Sequence, residues 1–175
     1  TVKIGQIARS AAVFRVEEIV IFSTEVGHQE RESDITLIST VLKYMDTPQY
    51  LRRAVFPRMP ILKYAGLLPP LRTRSHPINS EIDKIVNNEV RWGTQIGKNL
   101  VDIGLKRKIP YSESLKEKGP TLFRIKKTNS TIRLERIERK DVKKYFGFEV
   151  TTTKSLVDYL NRSEIGTKIA FSRLG

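Results

Sequence analysis

The sequence predicts an α/β fold: an open, mostly parallel sheet interrupted by a small antiparallel β-barrel. Three observations lead there. Residues 4–22 run from a helical apolar pattern straight into a β-branched run. Residues 121–137 largely alternate with period two about a polar turn. After about residue 145 an apolar strand followed by a helix returns. Helix–strand units on either side of a run of short strands indicate a discontinuous α/β unit with a second unit inserted in it.

Taken in order, Ile4, Ile7, Ala8, Ala11 and Ala12 recur at helical spacing, and the alanines let the helix axis approach a sheet closely. This helix is read as beginning at Gly5. Ile19-Val20-Ile21-Phe22 is an apolar run expected to form a strand covered on both faces. Residues 24–33 are polar and are expected to form a loop. Ser33 or Asp34 then caps a helix to about Tyr44, with Ile35, Ile38, Val41, Leu42 and Met45 on one face. Thr47-Pro48 breaks it, and Pro48–Val55 is expected as a further helix with proline in its first turn. Pro57, Pro60, Pro69, Pro70 and Pro77 mark an irregular crossing segment.

Short runs broken by glycine follow at Glu89–Gln95 and Asn99–Gly104, then alternating runs at Thr121–Ile125 and Thr131–Ile137. An OB-like barrel is the natural architecture for them, and it is one that binds oligonucleotides. Phe123, Ile125, Ile132 and Leu134 should point inward, and Arg124, Lys126 and Arg133 outward. Leu122 falls on the outer face in this register. Tyr145–Val150, a helix Lys154–Asn161 burying Leu156, Val157 and Leu160, and a buried strand Thr167–Ser172 complete the reading. The division is therefore residues 1–77 with 145–175 for the α/β unit, and 78–144 for the inserted barrel. The chain opens on Thr1 and closes just after a strand-like run, so further residues are expected at both ends.

Composition narrows the chemistry. Cysteine is absent, which excludes disulfides, thiolate metal sites and cysteine nucleophiles. With two histidines, no metal centre is expected. No apolar run approaches the roughly 20 residues of a membrane span, and no signal peptide is visible, which points to a cytoplasmic protein. Walker, GxGxxG, GxSxG and HExxH motifs are missing. The net charge of +13 is concentrated in two blocks, +6 over residues 47–80 and +9 over residues 103–144. A solvated surface is the bland account of such blocks; a nucleic-acid partner is the functional one.

The candidate residues follow from that field. Glycine at a helix start admits a ligand or another backbone, and the free N–H groups there favour an anion, so Gly5 and Arg9 form one candidate pair. The guanidinium of Arg9 could hold a phosphate or position a nucleophile; cap and surface arginine are the alternatives. Arg52, Arg53 and Arg58 lie among aromatics in a stretch suited to RNA, as do Arg72 and Arg74 in the crossing segment. Lys106, Arg107 and Lys108 fall at a barrel edge, with Arg124, Lys126 and Lys127 on its strands. His76 is read as a loop residue rather than a general base. Ser172, Arg173, Leu174 and Gly175 close a strand, where ligands sit in open α/β sheets, although an ordinary turn fits equally.

The stretch Gly5-Gln6-Ile7-Ala8-Arg9-Ser10-Ala11-Ala12-Val13-Phe14 resembles the first motif of SPOUT-class (trefoil-knot) RNA methyltransferases. Gly5, Arg9, Ala11, Ala12 and Phe14 match that pattern, and Arg15 stands where the ribose-methylating branch has glycine. Asp46–Arg53, Phe56-Pro57, Tyr64–Leu71 and Ile169–Gly175 resemble the archaeal and eukaryotic branch with an OB-like inserted domain. The resemblance implies a parallel sheet of SPOUT type with a C-terminal knot, S-adenosylmethionine as methyl donor, and a homodimer. It also implies a structured RNA substrate (rRNA or tRNA) methylated on a base nitrogen or ribose oxygen. Arg9 would be the catalytic residue, and Ser172, Arg173, Leu174 and Gly175 would begin the donor-binding loops. Most of the knot lies beyond Gly175 in that family. A non-catalytic RNA-binding or ribosome-associated protein with a degenerate fold is the alternative.

Overall fold

The first helix, α1 (Val2–Val13), has Thr1 at its N-cap position and buries Ile4, Gly5, Ala8 and Ala11. The computed structural model describes residues 1–23, 28–115, 119–128, 131–162, 166–169 and 171, without the side chains of 28–31. Gly5 is inside the helix rather than at its start. Its N–H already donates to Thr1 O at 3.0 Å, so it offers no anion site. Its small size serves packing: a Cβ there would lie 2.7 Å from Leu68 Cδ2. At the other end, Arg15 N–H donates to Ala12 O at 3.4 Å and Val16 N–H to Ala11 O at 2.9 Å. This paired closure needs a left-handed residue between Phe14 and Val16, and Arg15 supplies it with φ 56°.

Strand β1 (Glu18–Phe22) follows, then α2 (His28–Asp46). The helix begins well before Ser33, so the loop expected over 24–33 is helical from His28. Gln29, Glu30, Arg31 and Glu32 are good helix formers and continue the helix outward without an apolar face. Beyond it the helix expected over Pro48–Val55 is reduced to α3 (Arg52–Val55). Pro48–Leu51 forms its own turn, which carries Tyr50 toward the second sheet.

β2 (Val90–Gln95), β3 (Leu100–Asp102), β4 (Ile109–Pro110), β5 (Thr121–Lys127) and β6 (Ile132–Ile137) form an antiparallel sheet in the order β4-β3-β2-β5-β6. β4 and β6 approach each other, so the sheet curls on itself. Its interior holds Val101, Ile103, Leu105, Phe123 and Ile125, with Ile132 and Leu134 against them. The outward Leu122 is explained by a second, smaller core. It packs with Ile137 and Phe146, beside Val90, Trp92 and Val142, beneath the chain's return segment. The first part of β5 is therefore covered on both faces, at Leu122 and Phe123, while Arg124 and Lys126 continue its outer face toward solvent.

The return leads into β7 (Glu149–Thr153), which pairs in parallel with β1 from Glu18↔Glu149 to Phe22↔Thr153. Ile19 and Ile21 pack on a core of Ile4, Ala8, Ala11, Val41, Leu42, Met45, Leu68, Leu71 and Phe148. Phe22 is exposed, so β1 is not covered on both faces as expected. The expectations for the C-terminal stretch also fail among the described residues. α4 (Leu156–Arg162) buries none of its side chains, and Val157 is 65% exposed. Residues 166–169 and 171 form no strand, and Ile169 and Phe171 are 72% and 94% exposed. No described helix is long and apolar enough to cross a membrane.

Candidate nucleic-acid interface

Two chain crossings link the sheets, and their side chains fix the junction. Tyr50 Oη donates to Trp92 O at 2.7 Å, tying the turn after α2 to β2. Arg139, on the return, stacks over the Trp92 ring at 5.2 Å and lies 3.5 Å from Asp46 Oδ2 and 3.4 Å from Glu149 Oε1. Asp46 also accepts the Phe148 N–H at 3.1 Å. Asp46, Trp92 and Arg139 border a cavity of about 300 Å³ with Pro48, Phe56 and Phe148. On the outgoing crossing, His76 Nε2 lies 3.0 Å from the Met45 carbonyl, which can only accept. Nε2 therefore carries the proton, and Nδ1 accepts from the Thr73 or Ser75 hydroxyl at 2.9 and 3.0 Å. His76 thus pins the crossing to α2 as a neutral ring; it is more than a loop residue.

Burial perturbs both titrating groups. It pushes Asp46 up to about 6, against the opposing pull of Arg139 and the Phe148 N–H. It pushes His76 down to about 4, helped by the charge of Arg52 and opposed by its bond to Met45. Between pH about 4 and 6 the folded protein keeps the Asp46 proton and a neutral His76; the unfolded chain does the reverse. Proton counts match, so the two contributions cancel. In Asp46→Asn only His76 remains, and its stability is complete above about pH 6.5 and lost as pH falls toward 4. In His76→Gln only Asp46 remains, and its stability is present below about pH 4 and lost as pH rises through 6. Urea unfolding from pH 4.5 to 6.0 should show opposite slopes for the two variants, each below the one-proton ceiling of about 1.4 kcal/mol per pH unit.

The basic candidates separate into two groups. Most cations of the antiparallel sheet are already engaged. Lys106 pairs with Glu81, Lys108 with Asp102, and Arg124 and Lys126 with Glu135. The Lys127 ammonium donates to the carbonyls of Ile82, Asp83 and Ile85. Arg52 is likewise structural in its contacts: it donates to Thr47 O at 3.0 Å and Met45 O at 3.4 Å and stacks on Tyr44. Arg53, Arg58 and Arg107 are exposed and make no ion pair or hydrogen bond among the described residues.

The second group converges. Arg9 and Arg72 border a cleft of about 450 Å³ with Ala12, Val13, Pro69 and Pro70. Ala12, Arg72 and Thr73 also line a groove of about 830 Å³ that continues past Arg15, Glu17, Arg74, Lys143, Lys144 and Tyr145. Arg9, Arg15, Arg72, Arg74, Lys143 and Lys144 are all exposed and unpaired among the described residues. Lys143, Lys144 and Tyr145 were not singled out by the sequence reading. The charge run was visible, but nothing local shows that the return crossing lies beside Arg72. Ser172, Arg173, Leu174 and Gly175 lie outside the described residues.

A continuous groove with a one-sided charge suits a polyanion, and comparison with known proteins agrees. The family described as "Putative RNA methyltransferase" matches residues 1–173. An uncharacterized protein of Halobacterium salinarum is 36% identical over 186 residues, covering 100% of this chain and 61% of its own length. The human 28S rRNA (uridine-N(3))-methyltransferase is 31% identical over 166 residues, covering 85% of this chain and 40% of the human protein. The Drosophila melanogaster protein of the same name is 37% identical over 90 residues, 41% of this chain and 19% of that protein. The chain thus spans about three fifths of the archaeal relative and two fifths of the human one. The match across nearly every residue, with relatives above 30% identity, places the chain in this family of RNA methyltransferases.

Proposed function

We propose that the protein methylates a base nitrogen of a structured RNA, with a uridine of ribosomal RNA as the substrate that the relatives' names favour. The observation that carries this reading is the unpaired Arg9 at the rim of a groove bordered by five further unpaired cations. In this reading the donor is S-adenosylmethionine, which supplies an electrophilic methyl on a sulfonium. Ser172–Gly175, which the resemblance assigns to it, lie outside the described residues, so the chemistry of this chain is argued on the RNA side. A uridine N3 would lose its proton to solvent water and form its bond to the methyl carbon as the donor's sulfur–methyl bond breaks, the negative charge passing through N3 being shared with the flanking carbonyl oxygens. Arg9 serves in this reading as a fixed cation and not as the base. Its guanidinium stabilises the developing anion and holds the base in line.

The same reading takes residues 1–77 with 145–175 as the catalytic unit, of SPOUT type with a C-terminal knot. Residues 78–144 are its OB-like insertion, and the working assembly is a homodimer. Titration of the complete protein with S-adenosylmethionine by calorimetry, followed by transfer of a tritiated methyl to ribosomal RNA, tests the proposal. Saturable donor binding with label in RNA is the expected result. RNA binding with neither donor binding nor transfer would mean a non-catalytic RNA-binding protein instead.

A further inference from the structure

We propose that the groove between the end of α1, residues 72–74 and residues 143–145 grips the phosphate backbone of an RNA strand, with Arg15, Lys143 and Lys144 as contacts beyond the basic residues singled out from the sequence. The proposal rests on the RNA reading above but not on catalysis. It moves the main electrostatic contact away from the antiparallel sheet. There, Lys106, Lys108, Arg124 and Lys126 have carboxylate partners and Lys127 is held by three carbonyls. Phosphate contact would have to displace those bonds. In the groove, Arg15, Arg72, Arg74, Lys143 and Lys144 have no partner among the described residues, and Glu17 is the one acid lining it. Five like charges around one concavity repel one another, and a polyanion relieves that repulsion.

The residue at position 15 sharpens the assignment. Arg15 sits in the left-handed region at φ 56°, where glycine would hold the same turn with less strain. What arginine adds at that position is a forked charge on a residue that lines the groove. Tyr145 also lines the groove, but its hydroxyl is shielded from solvent and so lies out of reach of a bound phosphate. The groove is bordered by both crossings between the sheets, so a bound strand touches each unit and spans their junction.

The test uses the complete protein and a fluorescein-labelled 20-nucleotide oligouridine, followed by anisotropy as salt is raised. Lys143→Ala/Lys144→Ala should weaken binding about tenfold and lower the salt slope by roughly 0.7 for each phosphate no longer neutralised. Arg15→Gly should weaken binding about fivefold while its Tm rises by about 2–5 °C, since glycine relaxes the turn. That pairing separates a weaker grip on RNA from a damaged fold. Lys106→Ala, whose partner is Glu81, should change affinity less than twofold. Wild-type affinity and slope in both groove variants would overturn the proposal, as would a larger effect from Lys106→Ala. Donor binding, measured in parallel, reports on the methyltransferase reading separately.

Discussion

Arg9→Ala is expected to lower the rate of methyl transfer by roughly 10²–10³-fold, the usual effect of removing one charge-stabilising donor from a transition state. Donor binding and fold should survive. Arg9 is exposed on α1 and makes no ion pair or hydrogen bond among the described residues, so its loss should change stability by no more than about 0.5 kcal/mol. Arg9→Lys should recover only part of the rate, because a lysine point charge lacks the planar fork that spans two oxygens. Single-turnover assays at saturating RNA would show the fall in the chemical step rather than in binding. A variant that loses RNA affinity but keeps its single-turnover rate would assign Arg9 to the groove and not to the reaction.

Gly147→Ala is expected to be the most damaging small substitution at the junction, costing about 3–5 kcal/mol. Gly147 has φ 86°, and a left-handed alanine costs about 1–2 kcal/mol on its own. Its Cβ would also collide with the Asp46 carboxylate. That carboxylate cannot retreat without releasing the buried Phe148 N–H and its contact with Arg139. Overpacking and a broken buried bond each add about 1–3 kcal/mol. Urea unfolding measures the loss. Asp46→Ala in the same chain should make the two losses less than additive, because the clash is removed with the carboxylate.

Much of this architecture was legible in the pattern of residues. Period two marked β5 and β6, and helical spacing marked α1 and most of α2, because each presents a regularly spaced inward face to a core. What failed was what depends on partners elsewhere in the chain. The Leu122 misfit had no local explanation, since Phe146 and Ile137 cover it from the return segment. Gly5 pointed to a ligand, but it answers to Leu68, 63 residues away in sequence. The polar start of α2 carried no apolar periodicity, so propensity alone would have had to reveal it. The buried strand and helix expected near the C-terminus rested on apolar composition, yet exposed Phe171 and Val157 show that composition does not guarantee cover.

The site was legible as a charge field and not as a place. The blocks at 47–80 and 103–144 were evident, but Lys106, Lys108, Arg124 and Lys126 of the second are engaged by carboxylates. The unpaired residues that converge on the groove belong to three separate segments, the end of α1, the outgoing crossing and the return. Only the folded chain brings Arg9 and Arg15 beside Arg72, Arg74, Lys143 and Lys144.

The claim that this chain carries an RNA base methyltransferase is tested most directly by the identity of the labelled nucleoside. The complete protein is incubated with methyl-labelled S-adenosylmethionine and ribosomal RNA, the RNA is digested, and the product is identified by mass spectrometry. The account predicts a uridine methylated on its base, strongly reduced with Arg9→Ala. A label found on ribose, or no labelled nucleoside from a protein that binds both donor and RNA, would contradict it.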